Sequence, residues 1–296
     1  MSKTTRIADF LSTQAKKHLL PAARRAFPNA ILLEYPVHPR QRWGDGNPHP
    51  ELYNIINRNR VTYIEHLKSF LEFSENLVKI PEREGANSVP GEPSLINGWM
   101  PALDAVALYS IVALKKPKLF LEVGSGNSTK FARKAITDHR LNTKIISIDP
   151  KPRVEIDVIC DQVIRKPVEA ISLDIVDQLG PGDILYVDNS HRALMNSDAT
   201  VIFIDVIPRL KPGVLVEIHD VTLPYDYPAA WASRYYSEQY LLAAYLLARG
   251  HRFDVVLPNA FISSDPELKT ILMPLWQKRE MQNVETHGCS FWIQMN

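Results

Sequence analysis

Apolar residues recur along this chain with two different periods. Leu52, Ile55, Ile56, Ile64, Leu67, Phe70, Leu71 and Leu77 fall on one helical stripe and predict helix between Leu52 and Leu77. Residues 5 to 26 also read as helix, bent or broken at Pro21. A further helix from about Leu103 to Leu114 is stopped by Pro117. Beyond Pro117 the pattern changes to short runs rich in Val, Ile and Leu: KLFLEV (118–123), KIISID (144–149), DQVIR (161–165), DILYVD (183–188), GVLVEIHD (213–220), HRFDVVL (251–257) and CSFWIQM (289–295). Helical patterns separate most of them, in TKFARKAI, VEAISLDIVDQL and ALMNSDATVIFIDVIPRL. Strands alternating with helices predict an α/β fold, a doubly wound, mostly parallel sheet of seven strands covered on both faces. Two irregular stretches, 35–50 and 82–98, interrupt the first part, and the second is long enough to shape a site. The expected division is a helical N-terminal extension or cap over 1–95 and the sheet domain over 96–296.

Composition narrows the function classes. Lys plus Arg number 34 against 33 Asp plus Glu, so the basic excess of a nucleic-acid binder is absent and nucleic acid is not an expected partner. The two cysteines, Cys160 and Cys289, form no CxxC arrangement and predict neither a disulfide framework nor a zinc site. The longest apolar stretch, AVALYSIVAL (105–114), is too short to span a bilayer, and MSKTTRIADFLSTQAKKHLL lacks the apolar core of a signal peptide. A cytoplasmic protein with no membrane partner is expected.

The chemistry starts at LFLEVGSGNSTKF (119–131), an apolar strand running through glycines into a helix. In open α/β sheets ligands bind beyond the carboxyl ends of the strands, at such a turn. A dinucleotide fingerprint would place a third glycine where this chain has Thr129. Glu122, two residues before Gly124, would repel a pyrophosphate but support a cationic ligand. S-adenosylmethionine is such a ligand, with sulfonium and ammonium groups and no phosphate. Asp149, at the end of the second strand, suits the two hydroxyls of a ribose, which NAD shares. Glu122 and Thr129 therefore favour the methyl donor over NAD.

FLEVGSGNST, IISIDP, GDILYVDNSH and LKPGVLVEIHD resemble, in that order, the strand-end motifs of class I S-adenosylmethionine-dependent methyltransferases, over roughly residues 95–296. The stretch HDVTLPYDYPAAWASRYYSEQYLL is similar to a bacterial small-molecule subgroup of that family. The resemblance implies a Rossmann-like sheet whose last strand runs antiparallel. It also implies that Glu122 and the turn Gly124, Ser125, Gly126, Asn127 and Ser128 hold the methionine part. Asp149 would hold the ribose, and Asp188 would lie near the transferable methyl.

Acceptor chemistry is expected where Asp188-Asn189-Ser190-His191 and His219-Asp220 end neighbouring strands. A hydroxyl acceptor must lose a proton, so His191 or His219 is the candidate base, with Asp188 or Asp220 orienting it. A competing reading, not the favoured one, places a divalent ion such as Mg²⁺ on Asp188, His219 and Asp220. Tyr225, Tyr227 and Trp231 are the expected substrate contacts, with Trp99, next to Asn97 and Gly98, and Asp104 completing the site; Tyr236, Tyr240 and Leu241 are assigned to packing. An NPPY-type motif is absent, which favours oxygen over nitrogen as acceptor. The expected activity is O-methylation of a small molecule such as a sugar or polyketide. An NAD-dependent oxidoreductase and a non-catalytic adenosyl-ligand-binding protein are the alternatives. Whether the chain forms a homo-oligomer stays open.

Overall fold

The seven apolar runs all become strands of one sheet: β1 (Leu119–Val123), β2 (Lys144–Ile148), β3 (Gln162–Ile164), β4 (Ile184–Val187), β5 (Leu215–Ile218), β6 (Phe253–Pro258) and β7 (Phe291–Met295). The computed structural model describes residues 21, 25–26, 37–44, 46–85, 89–248 and 252–296. Contacts divide the chain into two compact units, Met1–Arg40 and Gln41–Asn296. In the first, the helix expected over 5–26 lies almost wholly outside the described residues. Everything below concerns the second.

Its sheet runs in the order β3-β2-β1-β4-β5-β7-β6. Only β7 is antiparallel to its neighbours, β5 and β6, as expected. All residues of β1, β4 and β5 are buried, because helices cover both faces of the sheet. That leaves Glu122, Tyr186 and Glu217 as the polar groups of these three otherwise apolar strands.

Helices α1 (Pro50–Asn57) and α2 (Arg60–Phe70) bury Leu52, Ile56, Tyr63, Leu67 and Phe70 in the same core as the sheet. α2 packs on β6 and on α3 (Ala102–Lys115), which is buried from Ala102 to Ala113 and so apolar on nearly all sides. α4 (Asn127–Asp138) follows β1.

Two expected helices differ. VEAISLDIVDQL forms two 3₁₀ turns, Val168–Ala170 and Leu173–Gln178, instead of one helix. Ser172 breaks the run by turning its hydroxyl onto the Asp174 N–H at 3.3 Å. Of ALMNSDATVIFIDVIPRL, only the part after the Ser197 cap is helical: α5 (Asp198–Val201), a π segment (Ile202–Val206) and a 3₁₀ turn (Ile207–Arg209). Among the described residues no helix is long and apolar enough to cross a membrane.

From β1 the chain winds outward to β2 and β3, then returns to β4 on the other side of β1. The carboxyl ends of β1 and β4 therefore flank the point where strand order reverses, which opens a crevice for a ligand.

Candidate active site

The turn after β1 is built against the end of β4. Gly124 has φ +79°, and a Cβ there would lie 1.7 Å from the carbonyl oxygen of Asp188. Only glycine permits that approach. The backbone of the turn is then tied inward: the Ser125 N–H donates to Asp149 Oδ2 at 2.8 Å, and the Gly126 N–H donates to Thr129 Oγ1 at 3.1 Å. Ser128 donates its hydroxyl to Glu122 at 2.5 Å, and Thr129 donates to the other oxygen of the same carboxylate.

Glu122 is thus fully buried behind the turn rather than facing a cavity. Burial pushes its carboxyl up to about 8, against the lowering effect of the two hydroxyls. This changes the role expected from sequence. Glu122 fixes Ser128 and Thr129 from behind, and it lies in the wall of none of the cavities along this edge, so it does not face a ligand as expected.

Three adjacent cavities of about 320, 40 and 370 Å³ open along the carboxyl edge of the sheet, and Asp188 and Arg153 line all three. The first contains Gly124, Ser125, Asp149, Lys151 and Asn189 in its wall. The smallest is walled by Ser125, Gly126, Asn127, Ser128, Tyr186 and His219. The largest is reached from Trp99, Trp231, Tyr236, His219, Asp220 and Cys289. Asp149 lines the first cavity, the Ser125–Ser128 turn lines the smallest, and Asp188 lines all three. At Gly126 an added side-chain carbon would meet no atom within 4 Å, so the turn is open on that side.

His191 is pinned on every side. Its backbone is in the left-handed region, φ 60°, and its N–H donates to Asn189 Oδ1 at 2.7 Å. Nδ1 meets Glu238, the buried first residue of helix α6 (Glu238–Leu247), while Nε2 lies 3.1 Å from Asp188 Oδ1 and 3.5 Å from Asp220 Oδ2. Burial favours the neutral ring, but Glu238 and Asp188 outweigh it and hold the imidazole well above the ordinary histidine range. In return, His191 holds Asp188 below the ordinary carboxylate range despite burial. An imidazolium with both nitrogens on carboxylates has no lone pair left for a substrate proton.

His219 differs in one respect. Nδ1 faces Ser290 Oγ (3.2 Å), Glu217 Oε1 (3.3 Å) and the Tyr186 hydroxyl (3.4 Å), whereas Nε2 has no partner among the described residues. Its side chain lines both the narrow link and the largest cavity. Burial again favours the neutral ring, and Glu217 and Asp188 raise it well above the ordinary range. Glu217, two residues back on the same face of β5, is itself pushed up by burial, to about 7.

The metal set expected from sequence is not assembled: Asp188 and Asp220 both turn to His191. The donor atoms that come within 4.8 Å of one another are those of Asp104, His219 and Cys289. Asp104 is already committed, accepting from the backbone N–H groups of Cys289 and Ser290 and from Asn259 Nδ2 at 2.7–3.0 Å. Burial, with Asp104 and Asp220 beside it, raises the Cys289 thiol well above its ordinary value, so it is no ready thiolate ligand.

Of the expected substrate contacts, Trp99 and Trp231 line the largest cavity. Tyr225 and Tyr227 do not: Tyr227 is buried against Trp231, Tyr236 and Tyr240, and the Tyr225 carbonyl accepts from Gln239. Tyr236, assigned to packing, is instead in the cavity wall and lies against His191, with ring centroids 4.5 Å apart and the planes tilted by 46°. Asp104 sits behind the wall, beneath Cys289. Glu217 and Glu238, which fix the two histidines, had not been singled out.

The family model described as "Methyltransferase domain" matches residues 121–221, from β1 to just past β5. No curated protein matches the chain in sequence. Among solved structures, the chain is similar to the S-adenosylhomocysteine-bound methyltransferase PaMTH1 of Podospora anserina, at 13% identity over 100% of this chain and 98% of that one, with a TM-score of 0.40. It is also similar to TomG of Streptomyces achromogenes, an O-methyltransferase involved in tomaymycin synthesis in complex with S-adenosylmethionine (13% identity, 83% of this chain and 98% of that one, TM-score 0.38). A third is an O-methyltransferase of Bacillus cereus in complex with S-adenosylhomocysteine (14% identity, 78% and 90%, TM-score 0.35). Likenesses at these scores say nothing of activity or substrate. Residues 121–221, the stretch from β1 to just past β5, match a methyltransferase domain.

Proposed function

We propose that the protein methylates a hydroxyl of a small molecule held in the 370 Å³ cavity, with His219 as the base and Glu217 as the residue that orients it. The observation that carries this reading is the difference between the two histidines. Both histidines line the 370 Å³ cavity, but the ring nitrogens of His191 are held by Glu238, Asp188 and Asp220, while His219 has one ring nitrogen without a partner among the described residues where the narrow link meets that cavity.

Bound S-adenosylmethionine supplies a methyl group on a sulfonium, which leaves as a neutral thioether. Asp149 and Lys151 line the chamber for the ribose end, and the Ser125–Ser128 turn lines the link. Methyl transfer depends on alignment, which the fixed turn and the pinned Asp188 provide. As the acceptor hydroxyl becomes a nucleophile, His219 Nε2 takes its proton while Nδ1–H stays on Glu217. His191 holds Asp188 and Asp220 in place and keeps the charge at the junction balanced. The same turn disfavours NAD. Its Ser125 and Gly126 N–H groups, which a pyrophosphate would need, are spent on Asp149 and Thr129.

The test is transfer of labelled methyl to hydroxyl-bearing small molecules. His219→Ala should lose roughly 100-fold or more in turnover with S-adenosylhomocysteine affinity unchanged. Full turnover in that variant would remove His219 from the role.

A further inference from the structure

Two guanidinium groups line the largest cavity without a hydrogen-bonded or ion-paired acid among the described residues, although the charge of Arg153 helps hold Asp188 below its ordinary range. Arg153 lies 4.5 Å over the ring of Trp99, and Arg234 lies 4.5 Å over Trp231 and 5.5 Å from the ring of Tyr236. Both arginines are exposed, both line the cavity, and neither side chain has a hydrogen-bond or ion-pair partner among the described residues. Elsewhere arginines close to acids pair with them, as Arg60 does with Asp265, Arg133 with Asp161 and Arg209 with Asp177. The acids of this cavity are otherwise engaged. Asp188 and Asp220 face His191, and Glu285 is 3.9 Å from His287 Nε2.

The Arg234 post is also braced from behind. Arg192 donates Nε–H to the Arg234 carbonyl at 2.9 Å and a second N–H to the Ser190 carbonyl at 3.2 Å. Its own guanidinium stands 5.4 Å from the Tyr236 ring. A guanidinium stacked on an aromatic face is fixed in plane while its N–H groups point outward along the edge, the geometry that grips a carboxylate or phosphate with two parallel bonds. Three aromatic side chains, Trp99, Trp231 and Tyr236, supply flat faces for a ring in the same cavity.

Resting on the reading of this cavity as the acceptor site, we infer that the acceptor is a ring compound bearing an anionic group, a phosphate or a carboxylate, which Arg234 binds with help from Arg153. The cavity then has two poles. The hydroxyl to be methylated faces His219 and Asp188, and the anion faces the arginines at the mouth.

Calorimetric titration with three matched probes tests this: glucose 1-phosphate, glucuronate and the neutral methyl glucoside, each against the protein with and without S-adenosylhomocysteine. At least one anionic probe should bind tenfold or more tighter than the neutral one. Arg234→Gln should abolish the difference and Arg234→Lys should keep part of it. Preference for the first probe identifies a phosphate, and preference for the second a carboxylate. Equal binding of all three, binding of neither anion, or an anion preference that survives Arg234→Gln overturns the inference. Failure of S-adenosylhomocysteine to bind would count against the methyl-transfer reading instead, while the titrations on cofactor-free protein still decide the anion question.

Discussion

Gly124 stands so close to Asp188 that a side-chain carbon on it would lie 1.7 Å from the Asp188 carbonyl oxygen. The contact locks the turn after β1 to the end of β4, and so places the glycine turn against the residue shared by all three cavities. Gly124→Ala meets both this clash and a backbone at φ +79°. The variant should lose roughly 1–3 kcal/mol of stability and most of its S-adenosylhomocysteine affinity. Thermal unfolding and calorimetry check this; wild-type values in both would show that β4 can move aside freely.

His219 sits well above the ordinary histidine range because Glu217 and Asp188 outweigh its burial. A base acts only after losing its proton, so turnover should climb with pH through that raised value rather than level off near neutrality. Glu217→Gln removes one raising charge and should move the rising limb to lower pH. If Glu217 only packs the sheet, kcat falls equally at every pH and the limb stays where it is.

Burial pushes the Glu122 carboxyl up to about 8 in the folded chain, from an ordinary value of 4.5. Between those values the unfolded chain gives up a proton that the folded chain keeps, so this residue makes stability fall as pH rises from about 4.5 to about 8. Glu122→Gln has no proton to give up and still offers a hydrogen-bonding oxygen to Ser128 or Thr129. Its melting temperature should stay close to that of the wild type near the low end of that window and gain on it above the high end. A constant gap across the window would contradict the burial argument.

Chelation should leave methyl transfer unchanged. Asp188 and Asp220 are taken by His191, and Asp104 is taken by the turn before β7. Loss of turnover after exhaustive treatment with a chelator, restored by Mg²⁺, would mean that these acids leave their partners on loading.

The sheet was legible because strands buried on both faces must be apolar, and runs such as LFLEV and DILYVD have few other uses. The turn was legible because Gly124, Asp149 and Asp188 directly follow β1, β2 and β4, three strands that lie side by side in the sheet. Partners distant in sequence were not. Glu238 looks like an ordinary first-turn acid of a helix, and only the fold brings it to His191, 47 positions away. Glu217 looks like any polar residue of a strand, since sequence does not say that its face is covered. Sequence divides the aromatic run after β5 at Trp231, with Tyr225, Tyr227 and Trp231 expected at the substrate and Tyr236 and Tyr240 in the packing. The chain instead buries Tyr227 and turns Trp231 and Tyr236 to the cavity, a choice set by how the loop packs on α6. The helix expected at VEAISLDIVDQL failed because Ser172 finds a local backbone partner in mid-run.

The most direct test of the cofactor site is calorimetric titration of the wild type and Asp149→Ala with S-adenosylhomocysteine and with NAD. The expected result is saturable binding of the adenosyl ligand by the wild type, at least tenfold weaker binding by the variant, and no NAD binding by either. Binding of NAD with none of S-adenosylhomocysteine would contradict the assignment of the Gly124–Ser128 turn, and with it the methyltransferase.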